Sequence, residues 1–164
     1  MGFGKVGLNM KLTDLEIDVD KLEQGDWVES IPDMGDLRLK VRGSGNSDYR
    51  ALQQKLLRAV PRGQLRDGRV PPEVQDKITS QLLLDTVLLD WDGLAGEDEQ
   101  PIPYSKELAA KLLTEPKYRR FRDAVAWAAD VVAERTKEDD EAMEGNSSAS
   151  SSGVSKLASR KAAG

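Results

Sequence analysis

The densest group of side chains able to do chemistry lies between residues 90 and 99, where Asp90, Asp92, Glu97, Asp98 and Glu99 gather around Gly93 and Gly96. Carboxylates in a glycine-containing loop suit hard cations such as calcium or magnesium, which take oxygen ligands. Laid against a calcium loop starting at Asp90, the pattern fails early. Asp92 fits the third position, but Leu94 stands at the fifth, Ala95 replaces the turn glycine and Pro101 replaces the last carboxylate. A solvated acidic loop is the better reading. Paired carboxylates also serve as acid and base in glycoside hydrolysis, but that chemistry calls for a cleft with aromatic platforms, and only 5% of this chain is aromatic.

Other chemistry is closed off by composition. The chain has no cysteine and no histidine, which removes thiolate or imidazole zinc sites, disulfides, cysteine nucleophiles and histidine-based triads. The lack of cysteine also fits a reducing compartment. Gly2, Gly4 and Gly7 fit neither a dinucleotide-binding nor a P-loop spacing, and no strand precedes them. Arg58, Arg62, Arg66 and Arg69, and the trio Arg119, Arg120 and Arg122, can be set against phosphates. The net charge of −5 and the absence of a distinct recognition helix favour ordinary solvated positions over nucleic-acid binding.

The elements that must position these groups follow from patterning. At 164 residues the chain holds one domain plus a tail. Its glycine-broken start does not form the apolar segment of a signal peptide, and no apolar run approaches the ~20 residues of a membrane span. Residues 1–24 read as an arm, with Leu12, Leu15, Ile17, Val19 and Leu22 interleaved with acids and a short strand suggested over 15–19. Residues 27–31 and 37–42 read as a hairpin across the turn Pro32-Asp33-Met34-Gly35-Asp36. In its second strand Leu37, Leu39 and Val41 alternate with Arg38, Lys40 and Arg42, which predicts a half-buried strand with a cationic outer face.

Ser47 is placed to cap a helix over 48–60, with Tyr49, Leu52, Leu56 and Val60 as its apolar stripe. A basic loop over 61–71 follows. Pro72 opens a helix expected to reach Trp91, whose second half, 82–91, is apolar almost all round with Asp85 inside the apolar face. Such a helix is central and buried, or shared with a partner. Ser105 caps a helix through Leu113, and Pro116 starts a last helix to Arg135 with Phe121, Val125, Ala128 and Val132 as its stripe. The acidic, then serine-rich stretch 137–164 is expected to be disordered. The fold class is therefore α+β, mainly α: an N-terminal β-hairpin followed by about four helices in a domain over 25–136.

Residues 82–129 carry a resemblance. An acid–Trp pair (Asp90, Trp91) runs into Gly93 and Leu94, then an acidic turn (Glu97, Asp98). The helix start Pro103-Tyr104-Ser105, the pair Leu112-Leu113, a break at Pro116 and an aromatic helix with Phe121 follow. In order and spacing this resembles the tail assembly chaperones of long-tailed bacteriophages and prophages, with Gly96 and Gln100 lengthening a loop that is often tighter in that family. The resemblance covers roughly 25–135.

The resemblance implies a small helical protein with no catalytic residue, no cofactor and no metal. It would coat the apolar, helical tape measure protein in the host cytoplasm, keep it soluble and recruit tail tube protein, without entering the mature virion. A longer frameshifted form of the same chain and a homo-oligomer are further partners it suggests; nucleic acid and membrane are not. Leu84, Leu88, Trp91, Leu94, Ile102 and Tyr104 are the expected partner-binding residues. Two other readings stand beside it: a virion component such as a head–tail connector or tail completion protein, and a small metal-dependent hydrolase built on the acidic loop.

Overall fold

The computed structural model describes residues 9–139, 141 and 142. Of the stretch 137–164 expected to be disordered, only 137–139, 141 and 142 are described, and these are helical instead, with the Thr136 hydroxyl accepting from the Asp139 N–H at 3.2 Å at the helix start. The serine-rich remainder lies outside the described residues, as do Gly2, Gly4 and Gly7. Packing divides the chain into a unit over Val19–Glu134 and a second unit from the segments before and after it.

The larger unit is mainly helical with a three-stranded antiparallel sheet. Its elements run α1 (Val19–Gln24), β1 (Asp26–Val28), β2 (Arg38–Val41), α2 (Ser47–Arg58), α3 (Pro72–Thr86), β3 (Leu88–Asp92), α4 (Lys106–Thr114) and α5 (Arg119–Glu134). The expected hairpin is present, with Val28 opposite Leu39 and Trp27 opposite Lys40. β2 is the central strand and pairs with β3 on its other edge, placing Leu39 opposite Trp91 and Lys40 opposite Asp90.

That third strand corrects the expectation of a helix through Trp91. α3 stops at Thr86, whose hydroxyl turns back to donate to the Leu82 carbonyl at 2.6 Å. Val87 leaves helical geometry, and Leu88–Asp92 extends along β2. The apolar run has no clear period, so its second half is equally suited to a strand. The free edge of β2 decides the outcome, because pairing there satisfies main-chain groups and turns Trp91 into the core. The register slips between Lys40 and Val41, leaving Leu89 as the extra residue of a bulge on the surface.

Alternation sorts the two sheet faces. Val28, Leu39 and Trp91 form one inward row, joined by Val41 and Leu88. Against this face packs α5, whose Ala124, Ala128 and Ala129 permit close approach while Phe121, Val125 and Val132 fill the space between. Leu83 from α3 and Ala109, Leu112 and Leu113 from α4 complete the core. The outer face carries the expected cations Arg38 and Lys40, with Arg42 just beyond the strand, and ion pairs hold Arg38 and Arg42. Arg38 lies between Glu29 and Asp92, at 3.7 and 3.5 Å, and its guanidinium covers the Trp27 ring at 5.0 Å. Arg42 reaches Asp48 at 2.7 Å and the Glu23 carboxylate at 3.5 Å.

Helix caps follow local chemistry. Ser105 caps α4 as expected, accepting from the Leu108 N–H at 3.1 Å. For α2 the cap is Asn46, one residue before the expected Ser47; its side-chain oxygen accepts from the Tyr49 N–H at 2.9 Å. Pro116 opens a single 3-10 turn, Pro116–Tyr118, and α5 begins directly after it.

The second unit, described by itself, carries a 3-10 turn at Leu12–Leu15. The short strand suggested over 15–19 does not form, since Leu15 closes that turn and 16–18 adopt no regular structure. The Asp14 carboxylate accepts from the Lys11 N–H at 3.0 Å, and the Asp18 N–H donates to the Arg135 carbonyl at 2.8 Å.

Candidate functional site

The expected partner-binding residues separate into three places. Leu88 and Trp91 lie in the core at 3% and 4% exposure. The strand pairing of β3 buries them as inward-facing positions. Leu94, Ile102 and Tyr104 are half-buried around Trp91. The indole N–H donates to the Ile102 carbonyl at 2.8 Å, and Tyr104 meets the ring edge-on with centroids 4.9 Å apart. Phe121 packs on the indole at 5.9 Å, also edge-on. The loop after β3 is closed by the Ile102 N–H donating to the Leu94 carbonyl at 2.8 Å. Trp91 thus anchors a half-exposed aromatic and aliphatic corner from beneath.

Burial pushes the Tyr104 phenol above its ordinary value, with the Asp90 carboxylate adding to the shift. The hydroxyl is therefore neutral through the physiological range and can serve a partner as donor or acceptor.

Leu84, the sixth expected residue, faces an open groove of about 580 Å³ between α3 and the turn joining α4 to α5. Leu84, Leu113 and Pro116 supply its apolar lining. Ser80 is buried there, its hydroxyl donating to the Leu113 carbonyl at 2.7 Å, which ties α3 to the end of α4. The rim is charged and mixed in sign: Asp76 pairs with Arg122 at 3.5 Å, Arg119 approaches Asp123 at 3.9 Å, and Lys77 stands on α3. Asp85, expected inside the apolar face, is instead at the surface, where Gln81 donates to it and Lys106 lies at 3.7 Å.

Sequence reasoning missed most of this groove. Pro116 was legible only as a helix start, whereas its 3-10 turn sets the spacing between α4 and α5. The helical spacing of Asp76, Lys77 and Ser80 along α3 was visible, but their facing partners Leu113, Arg119 and Arg122 come from elements whose packing no local pattern gives.

The acidic loop does not converge. Asp92 is engaged by Arg38, Asp90 is opposite Lys40 in the sheet register, and Asp98 accepts from the Gln100 N–H at 3.2 Å within its own turn. Among the described residues no group of three or more carboxylates is arranged to hold a metal ion. Arg66 is paired with Glu73 at 2.8 Å, and Arg120 donates to the Asp33 carbonyl at 3.1 Å.

Several large apolar side chains are left in water. Met10, Leu12 and Leu15 are 68%, 79% and 64% exposed, Ile17 and Val19 are also exposed, and Leu57, Leu89 and Trp127 stand out on the larger unit. No helix among the described residues is long and apolar enough to cross a membrane.

The domain is thus a mainly helical α+β protein, a small antiparallel sheet backed by helices with an open groove along α3. Residues 44–146, well over half of the chain, match the YdaY prophage protein family, and the chain belongs to that family. The matched span begins just after β2 and takes in α2 through α5, so it contains the groove and the Trp91 corner. No curated protein and no solved structure matches the chain.

Proposed function

We propose that this prophage protein is a non-catalytic tail assembly chaperone, which holds apolar helical segments of the tape measure protein in the host cytoplasm and promotes assembly of the tail tube. The observation that carries the proposal is the groove along α3, with Leu84, Leu113 and Pro116 inside and charges of both signs at its rim. An amphipathic helix laid in such a groove buries its apolar face and leaves its flanking charges to the rim. A helix with side chains is about 10–12 Å across, so the groove covers one face of it rather than enclosing it. Partial coverage suits a chaperone, which must release its client.

Leu94, Ile102 and Tyr104 extend the client surface, while Leu88 and Trp91 support it from within. No bond is made or broken in this role, and the protein leaves before the virion matures. Prophage family membership supports the setting, and the sequence resemblance over 82–129 supports the role.

The test is co-expression with tape measure segments encoded by the same prophage. The client is expected in the soluble fraction only when this protein is present, and Leu84→Lys is expected to weaken the rescue. Lys77→Glu combined with Arg119→Glu, both at exposed positions, gives a second route should Leu84→Lys disturb packing. Abundant copies of the protein in purified particles would favour a virion component, such as a connector or tail completion protein, and sink the chaperone reading.

A further inference from the structure

Charge in this chain is unevenly placed. Residues 49–70 contain Arg50, Lys55, Arg58, Arg62, Arg66 and Arg69 against the single acid Asp67, in a chain whose net charge is −5. Among the described residues, Arg50, Lys55, Arg58 and Arg62 make no ion pair with another side chain. α2, which carries the first three of these, also buries none of its residues fully: Leu52 and Leu56 are half-exposed and Leu57 is exposed, as Val60 just past its end is half-exposed. A helix with a cationic flank and an incompletely covered apolar stripe is an unfinished interface.

The complementary surface occurs in the same sequence. Residues 12–20 read Leu-Thr-Asp-Leu-Glu-Ile-Asp-Val-Asp, with acids interleaved among aliphatics and no cation. The apolar side chains of this arm, Leu12, Leu15, Ile17 and Val19, are all exposed. We infer that the acidic arm of one copy docks along α2 of a second copy, its aliphatics covering Leu56 and Leu57 while Asp14 and Glu16 face Lys55 and Arg58.

The dimensions agree. The twelve residues of α2 give a helix about 18 Å long, and the stretch from Met10 to Ile17 reaches at most about 26–29 Å when extended. Opposite charges steer the encounter and fix its direction, whereas apolar coverage supplies the affinity. Two such contacts by exchange close a dimer, and one contact per copy passed head to tail builds a chain or ring. Either arrangement multiplies the groove along α3, so that several weak contacts act on one long client. The inference itself does not depend on the client and is tested without it.

The absence of native cysteine allows a direct test on the full chain. Ile17→Cys and Leu57→Cys, each in a separate chain, are mixed and oxidised. A cross-linked heterodimer is expected, with much less product when Gln75→Cys, at an exposed position of α3, replaces Leu57→Cys. Sedimentation of the uncross-linked wild type is expected to show association that weakens as salt rises. Lys55→Glu with Arg58→Glu should lower that association by about tenfold, and Asp14→Lys with Glu16→Lys in the partner copy should restore it. A monomeric wild type up to near-millimolar concentration, or equal cross-linking at Gln75→Cys, would overturn the inference. So would tight oligonucleotide binding that depends on Lys55 and Arg58, since that assigns the same face to nucleic acid.

Discussion

The side-chain amide of Asn46 donates to the main-chain carbonyls of Thr86 and Gly43, each at 2.9 Å, while its oxygen caps α2 through the Tyr49 N–H. One fully buried side chain thereby fastens the start of α2 to the point where α3 gives way to β3. Asn46→Ala removes a cap and strands a buried carbonyl together, an expected loss of about 2–4 kcal/mol in urea unfolding. Asn46→Asp keeps the cap acceptor but loses both donors and buries a charge. It should fall at least as far, and a loss below about 1 kcal/mol for both variants would contradict the assigned geometry.

Gly93 leaves β3 at φ +80, and a Cβ there would meet the Asp36 carbonyl oxygen at 2.4 Å. Both the left-handed backbone and the contact with main chain exclude a side chain. Gly93→Ala is expected to cost at least about 2 kcal/mol and to lower the midpoint of thermal unfolding. Gly63, around which a Cβ meets nothing within 4 Å, serves as the control. Its alanine variant should unfold with the wild type.

Arg42 is the hub of a second fastening. Its Nε donates to the Glu23 carbonyl at 2.6 Å, and its terminal nitrogens reach Asp48 at 2.7 Å and the Glu23 carboxylate at 3.5 Å. Glu23 in turn accepts from the Ser47 N–H at 3.0 Å, so α1 and the start of α2 share one polar network. Arg42→Ala should destabilise by about 2 kcal/mol, and Arg42→Lys should recover little, because an ammonium cannot span the same acceptors. Chemical denaturation of the pair checks both statements.

Tyr49 and Tyr104 both titrate above the ordinary 10.0, each first because of burial and then because of a nearby acid, Asp130 and Asp90 respectively. A phenol with a raised folded-state value holds its proton when the unfolded chain has lost it. Stability is therefore unaffected by these groups below about pH 10 and falls as pH rises past it towards their folded-state values. Ultraviolet titration of Tyr104→Phe should lose a late-ionising phenol, and the alkaline loss of stability should become shallower. Unchanged alkaline behaviour in both Tyr104→Phe and Tyr49→Phe would contradict the assignment.

Much of the fold was legible because it rests on local chemistry. The alternation of Leu37, Leu39 and Val41 against charged neighbours gave a half-buried strand, and Ser105 before Lys106 gave a helix start. The error at 82–91 has a definite origin. Leu82 to Leu84 belong to a helix and Leu88 to Trp91 to a strand, yet the run is apolar but for Asp85, Thr86 and Asp90 and carries neither period. Only the open edge of β2, distant in sequence, chooses between them. Of the two readings that segment allowed, buried core or a face shared with a partner, Leu88 and Trp91 take the first. The groove, by contrast, joins Leu84 to Pro116 and Arg122, residues whose proximity depends on how three helices pack and which no window of sequence contains.

Leu84 and the groove it lines carry the proposed client contact. Soluble yield of a tape measure segment from the same prophage, co-expressed with wild type or with Leu84→Lys, measures the central claim most directly. Wild type should hold the segment in solution, while Leu84→Lys, folded by circular dichroism, should lose about tenfold of that yield. A client equally insoluble with and without the wild-type protein, or equally soluble with both versions, would contradict the account.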